Sequence, residues 1–382
     1  MKNNIIKKLK NIQNGHLTIK TPDNDVIEIG SKNSKIKADI DIKSNYIFNM
    51  IMSRGDIGLG EAYIGNLFTS SDIENLLLFL SINHKELEKI FYGNKIANLF
   101  FIIKNIFRRN NLKGSRKNIQ YHYDLGNDFY SLWLDKSMTY SSAIYLKDKE
   151  SLSSAQNNKY QKILDQLNPK NKNILEIGCG WGGFMQKAIK NGYKVKGLTL
   201  SSEQKKHADK IINKNNESYI ALQDYRDEYG KFGNIVSIEM FEAVGKEYWE
   251  QYFTKIKECL DKNGRAVIQT IVIDNEFYDK YSKTSDFIRE YIFPGGFLPT
   301  KEIIYKIARN NNLKVINELR FGKSYSKTLS QWLINFNKKE AEIIKMGYKI
   351  EFIRKWQFYL AYCIAGFESK RTDVVQFTIC HD

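Results

Sequence analysis

Strand-like and helix-like segments alternate along the chain from Ser151 onward. The strand-like segments read NILEIG, KVKGLTL, NIVSIEM and GRAVIQTIVI, and apolar residues at helical spacing lie between them. Strands separated by helices require crossover connections, which give a mainly parallel sheet covered on both faces. The sequence therefore predicts a doubly wound α/β core, and no internal repeat indicates another architecture.

The N-terminal part of the chain has a different pattern. HLTIKT and DVIEIG flank the turn-rich TPDND, which predicts a β-hairpin, and residues Glu61–Leu80 and His84–Phe107 carry apolar residues at helical spacing. We expect a small α+β domain over residues 1–115 and a larger domain over residues 116–382. A basic run links them, as either a solvated helix end or part of a membrane-contacting patch: Lys104, Arg108, Arg109, Lys113, Arg116 and Lys117.

Charge and composition limit the partners. A formal charge of +16 attracts nucleic acid or an anionic lipid surface, although abundant Lys, Asn and Ile also fit the bias of an AT-rich genome. No apolar stretch reaches the roughly 18 residues of a spanning helix, and the N-terminus lacks a secretory apolar run, so we expect a cytoplasmic protein. The cysteines lack a CxxC pair, which argues against disulfides and a zinc site.

Glycines interrupt the chain at Leu175–Gly183, where LEIGCGWGG joins a strand to a helix. Glycines let the backbone approach a ligand, and the first N–H groups of the helix form a polar socket. The next strand ends in GLTLSSEQ, residues Gly197–Gln204, whose hydroxyls and amide can hold a ribose or a zwitterionic amino acid. This pair of segments is a candidate ligand site.

Two alternatives to this ligand site remain. A dinucleotide-dependent dehydrogenase uses a similar loop, but the spacing here is not GxGxxG and no acidic residue ends the second strand. A tight turn without a ligand would not explain why Glu176, the paired glycines and the second-strand hydroxyls occur together.

Longer motifs follow one another in the second domain: YHYDLGNDFY (121–130), MTYSSA (138–143), the glycine loop, SIEMFEAVG (237–245) and DFIREYIFPGG (286–296). Together they resemble the cyclopropane-fatty-acyl-phospholipid synthases and the related mycolic acid methyltransferases. The resemblance implies a Rossmann-like class I S-adenosylmethionine-dependent methyltransferase core. It also implies a lipid-binding or dimerisation role for the small domain.

The resemblance assigns a set of residues to S-adenosylmethionine. They are Tyr140, Ser141, Glu176, Gly178, Cys179, Gly180, Gly182, Thr199, Leu200, Gln204, Tyr225 and Arg226. The residue pattern independently supports the glycine loop and the second strand. Tyr140 and Tyr225 depend on the resemblance alone, because ordinary core or surface tyrosines would look the same.

The resemblance also implies a reaction, in which a methyl(ene) group passes to the double bond of an unsaturated phospholipid acyl chain and forms a cyclopropane. Ring closure requires a base, which in this family resembles a bound bicarbonate. Its holders would be Ser142, Glu242, Gln269, Tyr325 and the Ile271 backbone. Of these, Glu242 has independent support, since it follows a strand at the carboxyl edge where open α/β sheets bind ligands.

Three positions leave this interpretation open. The best-known members of the family have a cysteine at Ser142 and a histidine at Gln269; serine and glutamine keep hydrogen-bonding capacity but carry no charge. The product is therefore either a cyclopropane or a methylene- or methyl-branched chain. Cys363 matches a cysteine proposed as catalytic in the family, but YLAYCIAGF is typical of a buried helix, so a structural role is the alternative.

The expected partner is an unsaturated phospholipid at an anionic membrane surface, which makes the protein a peripheral membrane enzyme. A homodimer is left open. The alternatives are methylation of a small molecule and non-enzymatic binding of a lipid or cofactor. Nucleic acid is disfavoured as a substrate, since the sequence has no base-reading Asn-Pro-Pro-Tyr-type loop.

Overall fold

The computed structural model describes residue 9 and residues 12–91, 125–212 and 217–382. The described residues form two compact units. The first unit joins the N-terminal residues up to 91 to Lys280–Ile292 and Leu329–Arg371; the second contains residues 125–279, Phe293–Thr328 and Thr372–Asp382. The expected boundary at residues 115 and 116, the basic run and the YHYD part of the first motif lie outside the described residues.

Both units contain strands and helices, numbered in chain order over the described residues. The strands are β1 His16–Lys20, β2 Val26–Gly30, β3 Lys37–Ile42, β4 Phe68–Thr69, β5 Asn173–Ile177, β6 Lys194–Thr199, β7 Tyr219–Leu222, β8 Phe232–Ile238, β9 Leu260–Ile273, β10 Leu313–Arg320 and β11 Thr372–His381. The helices are α1 Tyr46–Ile64, α2 Ile73–Ile82, α3 His84–Phe91, α4 Asn127–Ser131, α5 Leu152–Leu164, α6 Gly183–Lys190, α7 Ser202–Ile211, α8 Trp249–Cys259, α9 Asn275–Lys283, α10 Phe287–Tyr291, α11 Lys301–Asn310, α12 Gly322–Lys338, α13 Glu340–Lys345 and α14 Ile350–Glu368.

The sheet of the first unit has the order β2-β1-β3-β4. Strands β1 and β2 are antiparallel, with Ile19 opposite Ile27, so the predicted hairpin is confirmed. The predicted helix over Glu61–Leu80 is wrong, because α1 ends before Asn66, which has a left-handed φ of 57°, and β4 follows. A new helix, α2, then starts where the Asp72 side chain accepts a hydrogen bond from the Asn75 N–H at 3.0 Å.

The C-terminal segments of the first unit complete its core, although the sequence pattern assigned them to the larger domain. Helix α14 packs against α1 and α2, and Phe358 lies 4.6 Å from Phe287, centroid to centroid. Gly60 makes this approach feasible, since a Cβ there would lie 2.3 Å from the Phe287 ring. Asp56 on α1 accepts a hydrogen bond from the Tyr362 hydroxyl at 2.6 Å. These contacts join residues far apart in sequence, which local patterns do not reveal.

The sheet of the second unit has the order β10-β11-β9-β8-β5-β6-β7. Strands β9, β8, β5, β6 and β7 are parallel, while β11 is antiparallel to both β9 and β10. The four predicted strands correspond to β5, β6, β8 and β9, so the doubly wound α/β core is confirmed. Successive residues Ile174 and Leu175 of β5 lie in the hydrophobic cores of opposite faces.

Within the described ranges, no helix has both the length and the apolar character that crossing a bilayer requires.

Candidate active site

The glycine loop follows β5 at the carboxyl edge of the sheet. Gly178, Gly180 and Gly182 have φ values of 79°, 53° and 86°, in the left-handed region that glycine favours. The N–H groups of Gly178 and Cys179 both donate to the Leu198 carbonyl of β6, at 3.0 and 2.8 Å. A Cβ on Gly180 would meet no atom of the described chain within 4 Å. The loop is thus fixed to the sheet and faces open space where a ligand fits.

Glu176 lies in β5 two residues before this loop and is 2% exposed. Its Oε2 atom is buried and has no hydrogen-bond partner among the described residues. Desolvation raises the pKa of this carboxyl well above its ordinary value. A buried acceptor of this kind is normally paired, so it fits a ligand that brings a hydroxyl or ammonium donor. S-adenosylmethionine carries both.

The end of β6 forms the other wall expected of this site. The Thr199 hydroxyl donates to Gln204 Oε1 at 2.8 Å, and the Gln204 N–H donates to Ser201 Oγ at 3.2 Å at the start of α7. Thr199 and Gln204 are 5% and 6% exposed, while Leu200 between them is half-buried. The second-strand hydroxyls and amide therefore form one hydrogen-bonded turn beside the glycine loop.

The segment with Tyr140 and Ser141 is held by α5 and by aromatic packing. The Tyr140 ring lies 5.5 Å from Tyr130, centroid to centroid. Gln156 Nε2 donates to the Ser141 carbonyl at 2.9 Å, and Lys159 Nζ donates to Ser141 Oγ at 2.7 Å. This segment is positioned by side chains of α5.

Lys159 is a site residue that sequence reasoning missed. It is 0% exposed, and desolvation lowers the pKa of its ammonium to about 7, although the field of Glu239 opposes this. The available signal was its position on α5, one turn after Ala155 and one turn before Ile163, which are both fully buried. A lysine at that position of an apolar face must find a polar partner inside the protein.

Tyr225 and Arg226 lie after β7, on a short 3-10 turn. The Tyr225 ring packs 5.2 Å from Tyr252, and burial raises the pKa of its hydroxyl. Arg226 Nε and Nη2 donate to the two carboxylate oxygens of Asp224, at 2.8 and 2.7 Å. Their role in cofactor binding stays a prediction.

A second carboxylate that sequence reasoning missed is Glu239, immediately after β8. Its Oε1 atom accepts hydrogen bonds from the Ser142 N–H at 2.8 Å and from Gln269 Nε2 at 2.7 Å. Its Oε2 atom accepts one from the Tyr325 hydroxyl at 2.5 Å. The signal was present in SIEM, because Glu239 follows the strand even more closely than Glu242 does. The structure thus brings three predicted residues together around an unpredicted one.

Glu242 lies three residues further along. One carboxyl oxygen accepts the Ile271 N–H, while Oε2 is buried without a partner among the described residues. Desolvation and the neighbouring Glu239 raise the pKa of Glu242 to about 8. The Phe297 N–H donates to the Glu242 carbonyl at 2.9 Å, which fixes an aromatic segment beside this carboxyl.

A chain of side-chain amides orients Gln269. Gln376 lies opposite Gln269 on β11, and its Nε2 donates to Gln269 Oε1 at 3.0 Å. Gln166 Nε2 donates in turn to Gln376 Oε1 at 2.8 Å, and Gln166 Oε1 accepts the Thr378 hydroxyl at 2.5 Å. An ionised carboxylate can only accept, so Gln269 presents its NH₂ group to Glu239, and this fixes the orientation of each amide behind it.

The residues assigned to bicarbonate contact carboxylates of the chain itself, and bicarbonate binding stays a prediction. The sequence interpretation assigned the anion to Ser142, Glu242, Gln269, Tyr325 and the Ile271 backbone. In the structure, the donors at Ser142, Gln269 and Tyr325 pair with Glu239, and the Ile271 N–H pairs with Glu242. The carboxylates of the chain itself occupy the donors that the external anion would need.

Cys363 belongs to α14 of the first unit, whereas the carboxylates belong to the second. Its thiol is not ionised near neutral pH, because desolvation raises its pKa. A thiol without a lowered pKa is a poor nucleophile. This favours the structural role over the catalytic one.

Comparisons with known proteins agree with this geometry. The profile described as "Mycolic acid cyclopropane synthetase" matches residues 110–377. The cyclopropane-fatty-acyl-phospholipid synthase of Escherichia coli strain K12 is 32% identical over 347 residues, covering 88% of this chain and 86% of that protein. The tuberculostearic acid methyltransferase UfaA1 of Mycobacterium tuberculosis is 31% identical over 342 residues, covering 86% of this chain and 79% of that protein.

A solved structure supports the same assignment. The mycolic acid cyclopropane synthase CmaA1, complexed with SAH and CTAB, has a TM-score of 0.65 at 30% identity and covers 69% of this chain and 97% of that one. Together with the fixed glycine loop and the unpaired Glu176 oxygen, these similarities establish the class of enzyme. The chain belongs to the mycolic acid cyclopropane synthetase family and is an S-adenosylmethionine-dependent methyltransferase.

Proposed function

We propose that the protein methylates the double bond of an unsaturated acyl chain in a membrane phospholipid and closes a cyclopropane ring. The observation that carries this proposal is Glu239, a carboxylate fixed by three donors at the edge of the sheet that also bears the glycine loop. Ring closure needs a base, and a held carboxylate supplies one. The name and coverage of the Escherichia coli relative support a phospholipid substrate.

The cofactor residues fit S-adenosylmethionine, which supplies a methyl group on a cationic sulfur when bound. Gly178, Gly180 and Gly182 let the backbone approach it, and Glu176 accepts a hydrogen bond from it. Desolvation raises the pKa of Glu176 and Glu242, so a cation bound nearby would favour the ionised forms of these carboxyls. A cationic ligand suits this group of carboxyls better than an anionic one.

The acceptor side of the site must exclude water, because a cation that forms on the acyl chain would otherwise be captured by it. Phe297, held by its backbone bond to Glu242, packs 5.8 Å from Trp249, centroid to centroid. Aromatic faces of this kind also stabilise nearby positive charge. The neighbourhood of the carboxyls therefore suits an apolar, cationic reaction path.

A second product has support from a relative. The same cation can lose a proton from a neighbouring chain carbon, which gives a methylene branch instead of a ring. The tuberculostearic acid methyltransferase is 31% identical over most of this chain. The position of the base relative to the added methyl group decides between the two products.

Lipid analysis tests the proposal. We expect cells that express this chain, and lack a synthase of their own, to accumulate phospholipid acyl chains heavier by one methylene group in mass spectrometry. Proton NMR of those lipids should show high-field cyclopropane signals, whereas olefinic methylene signals would indicate the branched product. Unchanged lipids, from cells whose purified protein binds S-adenosylmethionine, would contradict a phospholipid substrate.

The membrane surface is the expected place of action. The formal charge of +16 favours anionic bilayers, and salt weakens such an attraction. Sedimentation with phosphatidylglycerol vesicles at low and high salt measures it, with phosphatidylcholine vesicles as the control. Equal binding to both lipids at low salt would rule out the electrostatic contribution. A homodimer stays a prediction, which light scattering of the purified protein tests.

A further inference from the structure

We propose that Glu239 is the built-in base of this enzyme and takes the place of an external bicarbonate. The inference deepens the proposed function, since it concerns the proton that leaves during ring closure. It rests on the hydrogen bonds and backbone conformation of one residue and on the charge of its neighbours.

The hydrogen bonds of Glu239 are those of an anion site. A carboxylate has about four lone-pair positions, two on each oxygen. The Ser142 N–H and Gln269 Nε2 occupy the two positions of Oε1, and the Tyr325 hydroxyl occupies one position of Oε2. One position of Oε2 remains to accept a proton. Glu239 as a whole residue is half-buried.

The distribution of donors decides which carboxyl of the pair is charged. Desolvation raises the pKa of Glu239, but three donors and the attractive field of Lys159 oppose this rise. Glu242 accepts the Ile271 N–H on one oxygen, while its other oxygen has no partner among the described residues. Hydrogen bonds to a carboxylate favour its ionised form. Glu239 is therefore the anion, and Glu242 holds a proton beside it.

The backbone conformation of Glu239 is strained, and this conformation directs its side chain into the site. Glu239 has a φ of 50°, in the left-handed region that is uncommon for residues other than glycine. Its N–H donates to the Gln269 carbonyl at 2.8 Å, which holds this conformation at the end of β8. Strained residues of this kind concentrate at functional sites.

The residues that donate hydrogen bonds to Glu239 need not be charged. Glu239 brings its own negative charge, so the neighbouring positions need only donate hydrogen bonds. Gln269, oriented by Gln376, and Ser142, which uses its backbone N–H, both do so. The departure at Gln269 thus accompanies a carboxylate within the chain, whereas the Ser142 hydroxyl donates to the Ala143 carbonyl at 2.9 Å and takes no part.

The step balances without any further reactant. A C–H bond of the added methyl group breaks, and its electron pair forms the new C–C bond to the cationic carbon of the chain. The proton moves to Glu239 Oε2 and then to water after the product leaves. No oxidant or reductant is required.

Bicarbonate dependence tests the proposal in the purified full-length protein. Wild-type turnover of unsaturated phospholipid vesicles should change less than about twofold between CO₂-free buffer and added bicarbonate. Glu239→Gly suits the left-handed backbone and opens the anion position. We expect it to lose about 10²-fold or more in turnover without CO₂, and to recover at least tenfold with bicarbonate.

Glu239→Gln keeps the shape of the side chain but cannot accept the proton. We expect a similar loss that bicarbonate does not rescue, with S-adenosylmethionine affinity unchanged by calorimetry. Asn312→Gly is the matched control, because Asn312 has a φ of 51° outside this site and should keep wild-type turnover.

A direct binding measurement separates this proposal from the proposed function. In ¹³C NMR, the signal of labelled bicarbonate should broaden when Glu239→Gly is added and stay sharp when the wild type is added. This measurement does not depend on which lipid the enzyme methylates. Broadening with the wild type, bicarbonate stimulation of the wild type by tenfold or more, or full activity of Glu239→Gln would overturn the built-in base. A wild type that is inactive on phospholipid, with the expected NMR contrast, would instead contradict the substrate.

Discussion

Gly180→Val should weaken cofactor binding by about two orders of magnitude without unfolding the protein. Gly180 has a φ of 53°, and a Cβ there meets nothing within 4 Å among the described residues. The only cost to the folded protein should therefore be the backbone strain of a valine in the left-handed region, which lowers the free energy of unfolding by roughly 1–3 kcal/mol. The added side chain fills the space that the ligand needs. If this displaces the cofactor from two hydrogen bonds, at about 1.5 kcal/mol each, affinity falls about 150-fold.

Gly192→Val is the matched control for this experiment. Gly192 has a φ of 79° and also has open space around its Cβ, but it lies in the turn between α6 and β6, at the opposite edge of the sheet. Calorimetric titration with S-adenosylmethionine and thermal unfolding should show two similarly destabilised proteins, of which only Gly192→Val keeps wild-type affinity. A folded Gly180→Val with an affinity within about threefold of wild type, roughly 0.6 kcal/mol, would refute the assignment of the loop.

Three further predictions concern buried groups and close packing. Burial raises the pKa of Glu242 to about 8, so its neutral form contributes stability that is complete below the ordinary pKa of 4.5 and lost as the pH rises through 8. Thermal unfolding should show Glu242→Gln gaining on the wild type as the pH rises over that interval, and parallel curves would contradict this. Gly60→Ala forces a methyl group against an aromatic ring 2.3 Å away and should lower the free energy of unfolding by about 1–3 kcal/mol, whereas Gly65→Ala, whose nearest atom is 3.3 Å away, should change it little. Tyr362→Phe leaves half-buried Asp56 without the hydroxyl that donates to it at 2.6 Å, and should destabilise the protein by about 1–3 kcal/mol in urea unfolding. An unchanged midpoint would show that the bond contributes nothing.

The parts of the fold that sequence predicts are those with local signals. Strands β5, β6, β8 and β9 are short apolar runs between amphipathic helices. The glycine loop is also a local signal, because its left-handed φ values favour glycine at those positions. Strand β11 runs antiparallel between β9 and β10, and no local pattern indicates that insertion. The membership of α14 in the first unit depends on contacts with helices near the other end of the chain.

The candidate site shows the same limit at the level of single residues. Sequence position indicates that acidic groups after β8 reach the carboxyl edge, but not which one meets the donors of Ser142, Gln269 and Tyr325. That choice depends on the left-handed φ of Glu239, which turns its side chain toward them. Lys159 was missed because a lysine on a helix is usually exposed, and only the packed structure reveals its burial.

The completion of the first unit by α14 has a consequence for synthesis on the ribosome. Helix α2 ends at Ile82, and the helix that covers it begins at Ile350. At about 5–20 residues per second, the nascent chain waits on the order of tens of seconds between the two. During that interval, apolar residues of α2 such as Leu76 and Phe79, which are buried in the finished protein, lack their partner. The N-terminal region therefore reaches its native packing late, and until then its surface is open to chaperones and to the bilayer.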